Sequence, residues 1–129
     1  MTRYRTLVGD MYRAGVGLLA GTDTSPMNPV LPGWGLHQEL ELLVECGLTP
    51  LAALQTATRN PALYFGTEKD SGTVEEGKLA DLVLLDADPL ADIRNTQAIA
   101  GVVLKGRYYP RRDLDAMLER VARMSAAAR

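Results

Sequence analysis

Residues 15–26 read GVGLLAGTDTSP, and the fold turns on how this stretch is understood. Val16 to Ala20 is apolar, bounded by glycine and too short for a helix. It reads as a strand buried on both faces, the kind found in parallel sheets. The run stops at Gly21, where Thr22-Asp23-Thr24 sets one carboxylate on a polar tip. Upstream, Tyr4, Leu7, Val8, Met11 and Tyr12 recur at i, i+3, i+4, i+7 and i+8, one face of a helix. Thr2 can cap its start and Gly15 can end it. Helix, tight turn, buried strand and polar tip together make the end of an α/β unit.

Working outward, the chain from Gly21 to Gly35 is a loop broken by Ser25-Pro26, Asn28-Pro29 and Pro32-Gly33, with Trp34 at its far end. A loop of this length in a compact domain is often functional. Leu36, Leu40, Leu43 and Val44 restore helical spacing, with Glu39, Glu41 and Glu45 off that face and Gly47 as the stop. Thr49-Pro50 is an N-cap followed by proline at the first helical position. It launches a helix through Leu51, Leu54 and Thr58 that Asn60-Pro61 ends. A short helical turn over Ala62–Phe65 then stops at Gly66.

Past Gly66 the periodicity changes. Leu82–Leu85 and Val102–Leu104 read as strands, and Lys105-Gly106 turns the latter back into Arg107–Tyr109 as a hairpin. Leu114, Met117, Leu118, Val121 and Met124 mark a closing amphipathic helix, with Ala126 to Arg129 expected to fray. The division is therefore 1–66, 67–110 and 111–129.

Composition narrows the chemistry. The 129 residues carry a net charge of −2, which gives no footprint for nucleic acid or an anionic membrane. The basic residues of 107–112 form only a solvated face. Cys46 stands alone, so no internal disulfide is possible, which fits a reducing cytoplasm. No apolar run approaches the roughly 20 residues of a membrane span. His37 is the single imidazole, so the chain cannot assemble a histidine-rich metal site by itself.

Taken in order, GVGLLAGTDT, LHQELELLVECGLTPLAALQTATRNPALYFG and GTVEEGKLADLVLLDADPL with VVLKGRYY resemble the C-terminal portion of the amidohydrolase superfamily, in its imidazolonepropionase-like and prolidase-like branches. The resemblance spans about residues 4 to 109. It implies an α/β fold: the last β/α unit of a (β/α)8 barrel, the C-terminal half of a composite β-sandwich, and a C-terminal helix. In such barrels the active site lies at the C-terminal ends of the strands, where the pattern independently puts Asp23.

The resemblance further implies that Asp23 is a metal ligand, usually for zinc, and that it takes a proton from the metal-bound water and returns it to a leaving nitrogen. The reaction would be hydrolysis of an amide or cyclic amide C–N bond in a small molecule. Read without the resemblance, Asp23 is a turn residue bonding nearby backbone N–H groups. Thr22 and Thr24 orient Asp23 or simply bond within the loop. His37 and Trp34 are candidates to meet substrate, against a locally bonded helix-start histidine and a tryptophan outside the pocket. Lys78, Asp81 and Asp86 take turn and strand-end roles. The other metal ligands are expected upstream of Met1, so the partner is the missing barrel portion or a second copy. The alternative is a non-catalytic module associating through exposed barrel surfaces.

Overall fold

The computed structural model describes residues 3–25 and 30–127. Thr2, Pro26, Asn28 and Pro29 therefore lie outside the described residues, as do 128 and 129. Helix α1 (Arg3–Arg13) ends as the glycine predicted. Gly15 takes φ 78° and its N–H reaches Tyr12 O at 3.0 Å, while Val16 N reaches Met11 O at 3.0 Å. This paired arrangement is a Schellman closure.

The apolar stripe of α1 is only partly used. Val8 and Tyr12 pack against the core, but Tyr4 is 81% and Leu7 55% exposed. Spacing defined the face correctly; it could not say how much neighbouring protein would cover it.

Helix α2 (Trp34–Glu45) takes in the last two residues of the expected loop and buries Gly35, Leu40 and Leu43. Its end repeats the closure of α1, with Gly47 N on Val44 O at 2.9 Å and Leu48 N on Leu43 O at 3.2 Å. Helix α3 (Pro50–Thr56) opens on Thr49, whose Oγ1 accepts from Ala52 N at 3.1 Å. Because that bond satisfies a backbone donor otherwise left open, Thr49→Ala is expected to cost about 1 kcal/mol, read as a lower urea midpoint at unchanged slope.

The helix expected through Thr58 stops at Thr56, and α4 (Arg59–Phe65) begins before the Asn60-Pro61 pair. Pro61 is the third residue of α4 and does not terminate anything. Its missing N–H falls in a first turn that has no intrahelical partner to lose.

Val16 to Ala20 differs from expectation too. It forms no strand, because a strand is defined by a paired neighbour and none of the described strands pairs with it. Nor is it buried on both faces: Leu18 and Ala20 pack on the core, while Val16 is 45% and Leu19 42% exposed. Its two anchors come from helix ends. Ala20 N donates to Thr56 O, and Asn60 Nδ2 to Leu18 O, both at 3.0 Å.

The strand-rich part is a three-stranded antiparallel sheet in the order β1 (Leu82–Leu85), β2 (Ile99–Leu104), β3 (Arg107–Pro110). Lys105 (φ 51°) and Gly106 (φ 77°) both take positive φ in the two-residue turn between β2 and β3, as a type I′ hairpin requires. Asp81 Oδ1 accepts from Lys105 N at 2.6 Å, pinning that turn to the start of β1. A 3-10 turn over Ile93–Gln97 was not anticipated. It brings Ile93 into the core with Leu40, Leu43, Cys46, Leu48 and Ala53.

Helix α5 (Arg111–Ala127) is regular through Ala126 and Ala127, residues expected to fray, and buries none of its residues. Leu118, Val121 and Met124 are each more than 60% exposed. Among the described residues, no helix is long and apolar enough to cross a membrane.

Candidate functional site

Asp23 sits at the end of the extended 16–20 segment, exposed, with φ 50°. A left-handed backbone is uncommon for a side-chain-bearing residue but tolerated by aspartate. It turns the chain sharply just where the carboxylate emerges. On either side, the Thr22 and Thr24 hydroxyls meet at 2.8 Å. They therefore brace the backbone around Asp23.

The tip rests on the first turn of α2. A Cβ placed on Gly35 would lie 3.5 Å from Thr22 Cβ and 2.3 Å from Val30 Cγ1. Glycine at 35 is thus what lets Val30 close onto the helix, while Thr22 rests there at ordinary contact distance. With the two anchors from Thr56 and Asn60 behind it, the tip is held from both ends.

Trp34 and His37 share that first turn of α2, with ring centroids 6.0 Å apart and the planes at 61°. The locally bonded histidine considered from sequence is not what the fold builds. His37 Nδ1 lies 3.0 Å from Thr96 Oγ1, 59 residues away, and Thr96 in turn donates to Ile93 O at 2.9 Å. One turn along α2, Glu41 Oε1 accepts from Gln97 Nε2 at 2.8 Å. The helix that supports the tip is therefore tied to the 3-10 turn by two side-chain bonds. Neither was legible in sequence, because no local pattern links positions so far apart.

That 3-10 turn is itself capped. Asp92 Oδ1 accepts from Arg94 N at 3.0 Å, and the Arg94 guanidinium grips the same carboxylate at 2.6 Å. The side-chain bond first, then the backbone N–H, hold the Asp92 carboxyl below its ordinary range. A depressed folded-state value means that its contribution is present above the unfolded value and lost as pH falls through the folded one.

Lys78, Asp81 and Asp86 occupy turns and strand ends. Lys78 Nζ bonds Thr73 and lies 3.5 Å from Glu75. Thr73, then Lys78, hold the Glu75 carboxyl below its ordinary value. Asp86 N donates to Ala98 O at 2.8 Å.

No three His, Cys, Asp or Glu side chains converge among the described residues, and Cys46 is buried in the core. The exposed carboxylate of Asp23 is an oxygen donor of the kind divalent cations accept. A centre would need its other protein ligands from elsewhere.

Helices packed beside a segment whose polar tip carries a carboxylate, followed by an antiparallel sheet, define a mixed α/β architecture. The chain belongs to the Amidohydrolase family, which matches residues 4–108. It is 39% identical over 84 residues to the ochratoxinase of Aspergillus niger, covering 64% of this chain and 16% of that protein. Against the adenine deaminase of Rubrobacter xylanophilus it is 42% identical over 93 residues, covering 69% of this chain and 15% of the relative. Its structure is similar to that of molinate hydrolase, with TM-score 0.76 and 33% identity over 84% of this chain and 27% of that one. The chain thus spans about a quarter or less of the length of these three proteins.

Proposed function

We propose that this chain forms part of a metal-dependent hydrolase acting on an amide or cyclic amide C–N bond, to which it contributes the Asp23 carboxylate. The observation that carries the reading is the family match across 4–108 together with Asp23 exposed at the end of its extended segment. The relatives' names, a deaminase and an ochratoxinase among them, support a small amide-type substrate.

A divalent ion, zinc by family habit, polarises a carbonyl and lowers the pKa of a water to about 7 when bound. The rest falls to this chain. Asp23 would help to hold the ion, and its carboxylate would accept the proton released as water attacks the carbonyl, then return it to the leaving nitrogen. Thr22 and Thr24 keep the carboxylate aimed. Trp34 and His37, on the helix turn against which the tip rests, face the substrate. The remaining ligands come from protein beyond these residues.

The 129-residue chain by itself is expected to lose zinc on dialysis and to cleave no amide, while addition of a polypeptide carrying the histidine ligands creates chelator-sensitive activity. Amide hydrolysis by the lone chain with added zinc would overturn this arrangement.

A second reading, association without catalysis, is favoured by one observation. Val16 and Leu19 leave apolar surface exposed on a segment with no paired strand among the described residues, a surface prone to pairing with another chain. Light scattering across a concentration series separates the two: a monomer at every concentration excludes self-association.

A further inference from the structure

We propose that Thr96, in the 3-10 turn of the strand-rich part, fixes the tautomer of His37, so that Nε2 meets the ligand as a hydrogen-bond acceptor beside Trp34. The inference deepens the reading above and rests on it for the identity of the ligand-facing side. A threonine hydroxyl has one proton. Thr96 Oγ1 lies 2.9 Å from Ile93 O in donor geometry, and a carbonyl oxygen can only accept. Without a proton between them, two acceptor oxygens would repel at that distance. Thr96 therefore spends its proton on Ile93 and must accept from its other neighbour, His37 Nδ1, at 3.0 Å.

In the neutral ring, a proton on Nδ1 leaves Nε2 with a bare lone pair. This is the reverse of the tautomer favoured by an unconstrained histidine side chain in water, so the fold has to impose it. Thr96 is positioned to do so: it is 6% exposed, within a turn anchored by Ile93 in the core and capped by Asp92. Among the described residues Nε2 has no hydrogen-bond partner, and the aromatic contact made by the ring is the Trp34 edge.

The result is a hydrogen-bond acceptor next to a half-exposed indole, on the helix turn that carries the Asp23 tip. Such a pair recognises an N–H or O–H donor attached to a flat apolar group, as in an aryl amide, a urea or a purine-like ring. It rejects a carbonyl presented in the same place, because two acceptors would meet. Thr96 is a positioning residue in this scheme and touches no ligand.

The test reads the ring directly. Long-range 15N–1H correlation spectra of the 129-residue chain, taken at a pH where the imidazole is neutral, are expected to show a protonated Nδ1 and a bare Nε2. Thr96→Val keeps the shape of the side chain but removes its acceptor, and is expected to move the population toward Nε2–H. Thr96→Ser is expected to restore the native pattern. A native ring protonated on Nε2, or a tautomer unchanged in Thr96→Val, overturns the proposal. If the valine variant fails to fold, the native and serine spectra decide it alone.

In the active complex, Thr96→Val is expected to raise KM about five- to tenfold with kcat little changed, the signature of a lost binding contact. A moved tautomer with an unmoved KM removes His37 from the ligand-facing side and overturns the recognition half. Neither result depends on Asp23. Loss of the Asp23 reading would show separately, as activity surviving in an Asp23→Asn protein.

Discussion

Asp23→Asn in the active complex is expected to lower kcat/KM by about 100- to 10,000-fold, the range typical for loss of a positioned proton acceptor. The substitution is chosen for what it preserves. Asparagine is nearly isosteric with aspartate and shares its tolerance of the left-handed backbone, so the φ of 50° at this position need not change. The Thr22–Thr24 brace is made by neighbouring hydroxyls and survives. What disappears is the negative charge and the ability to take a proton.

Because Asp23 is exposed, the stability change should stay within about 0.5 kcal/mol. Loss of activity therefore cannot be ascribed to unfolding. Bound zinc, measured by elemental analysis after dialysis, should fall alongside the rate. Activity and metal content both within twofold of the native protein would remove Asp23 from the chemistry and leave it as a turn residue.

Local signals in the sequence translated well into structure. Gly15, Thr49 and the Lys105-Gly106 pair each specify a helix end, a helix start or a hairpin through groups only a few residues apart. The physics at those places involves backbone dihedrals and one or two hydrogen bonds, so short patterns suffice. Where the outcome depended on distant groups, sequence reasoning fell short. Val16–Ala20 has the composition of a buried strand, but pairing is a property of two segments and the described residues supply only one. The apolar stripe of α5 was recognised, yet nothing local reveals that it stays uncovered.

At the candidate site the same division holds. Asp23 stood out because an apolar run ends on it. Thr96 could not, because its significance lies in a bond to His37 across 59 positions. Asn60 is a sharper case: its place before proline marked it as a breaker, while its side chain in fact holds the Leu18 carbonyl.

Gly9 went unremarked in the sequence, and its replacement is expected to have the larger structural effect. By helix propensity alone, Gly9→Ala should stabilise α1 by about 1 kcal/mol. The fold reverses the sign. A Cβ at this position would lie 2.2 Å from the backbone oxygen of Cys46. That oxygen cannot retreat cheaply, since the flanking backbone is committed to the closure of α2: Cys46 N to Leu42 O at 2.9 Å and Leu48 N to Leu43 O at 3.2 Å.

Helix α1 has to move instead, drawing Val8 and Tyr12 off the core they pack against. The Arg5–Glu45 ion pair between the same two helices is too exposed to hold them together. Overpacking of this kind costs about 1–3 kcal/mol, and a 2.2 Å approach to committed backbone lies at the upper end, so against a gain of about 1 kcal/mol a net loss of up to about 2 kcal/mol is expected in urea unfolding. Leu7→Ala provides the contrast. Leu7 belongs to the apolar stripe and would be named core from spacing, but it is 55% exposed and its loss should cost no more than about 0.5 kcal/mol. The displacement should also travel along the chain. Because α1 runs through its closing turn into 16–20, Gly9→Ala should weaken hydrogen-exchange protection at Ala20 N, whose bond to Thr56 O anchors the segment leading to Asp23. A variant more stable than the native protein, with Ala20 equally protected, would mean that α1 does not press on Cys46.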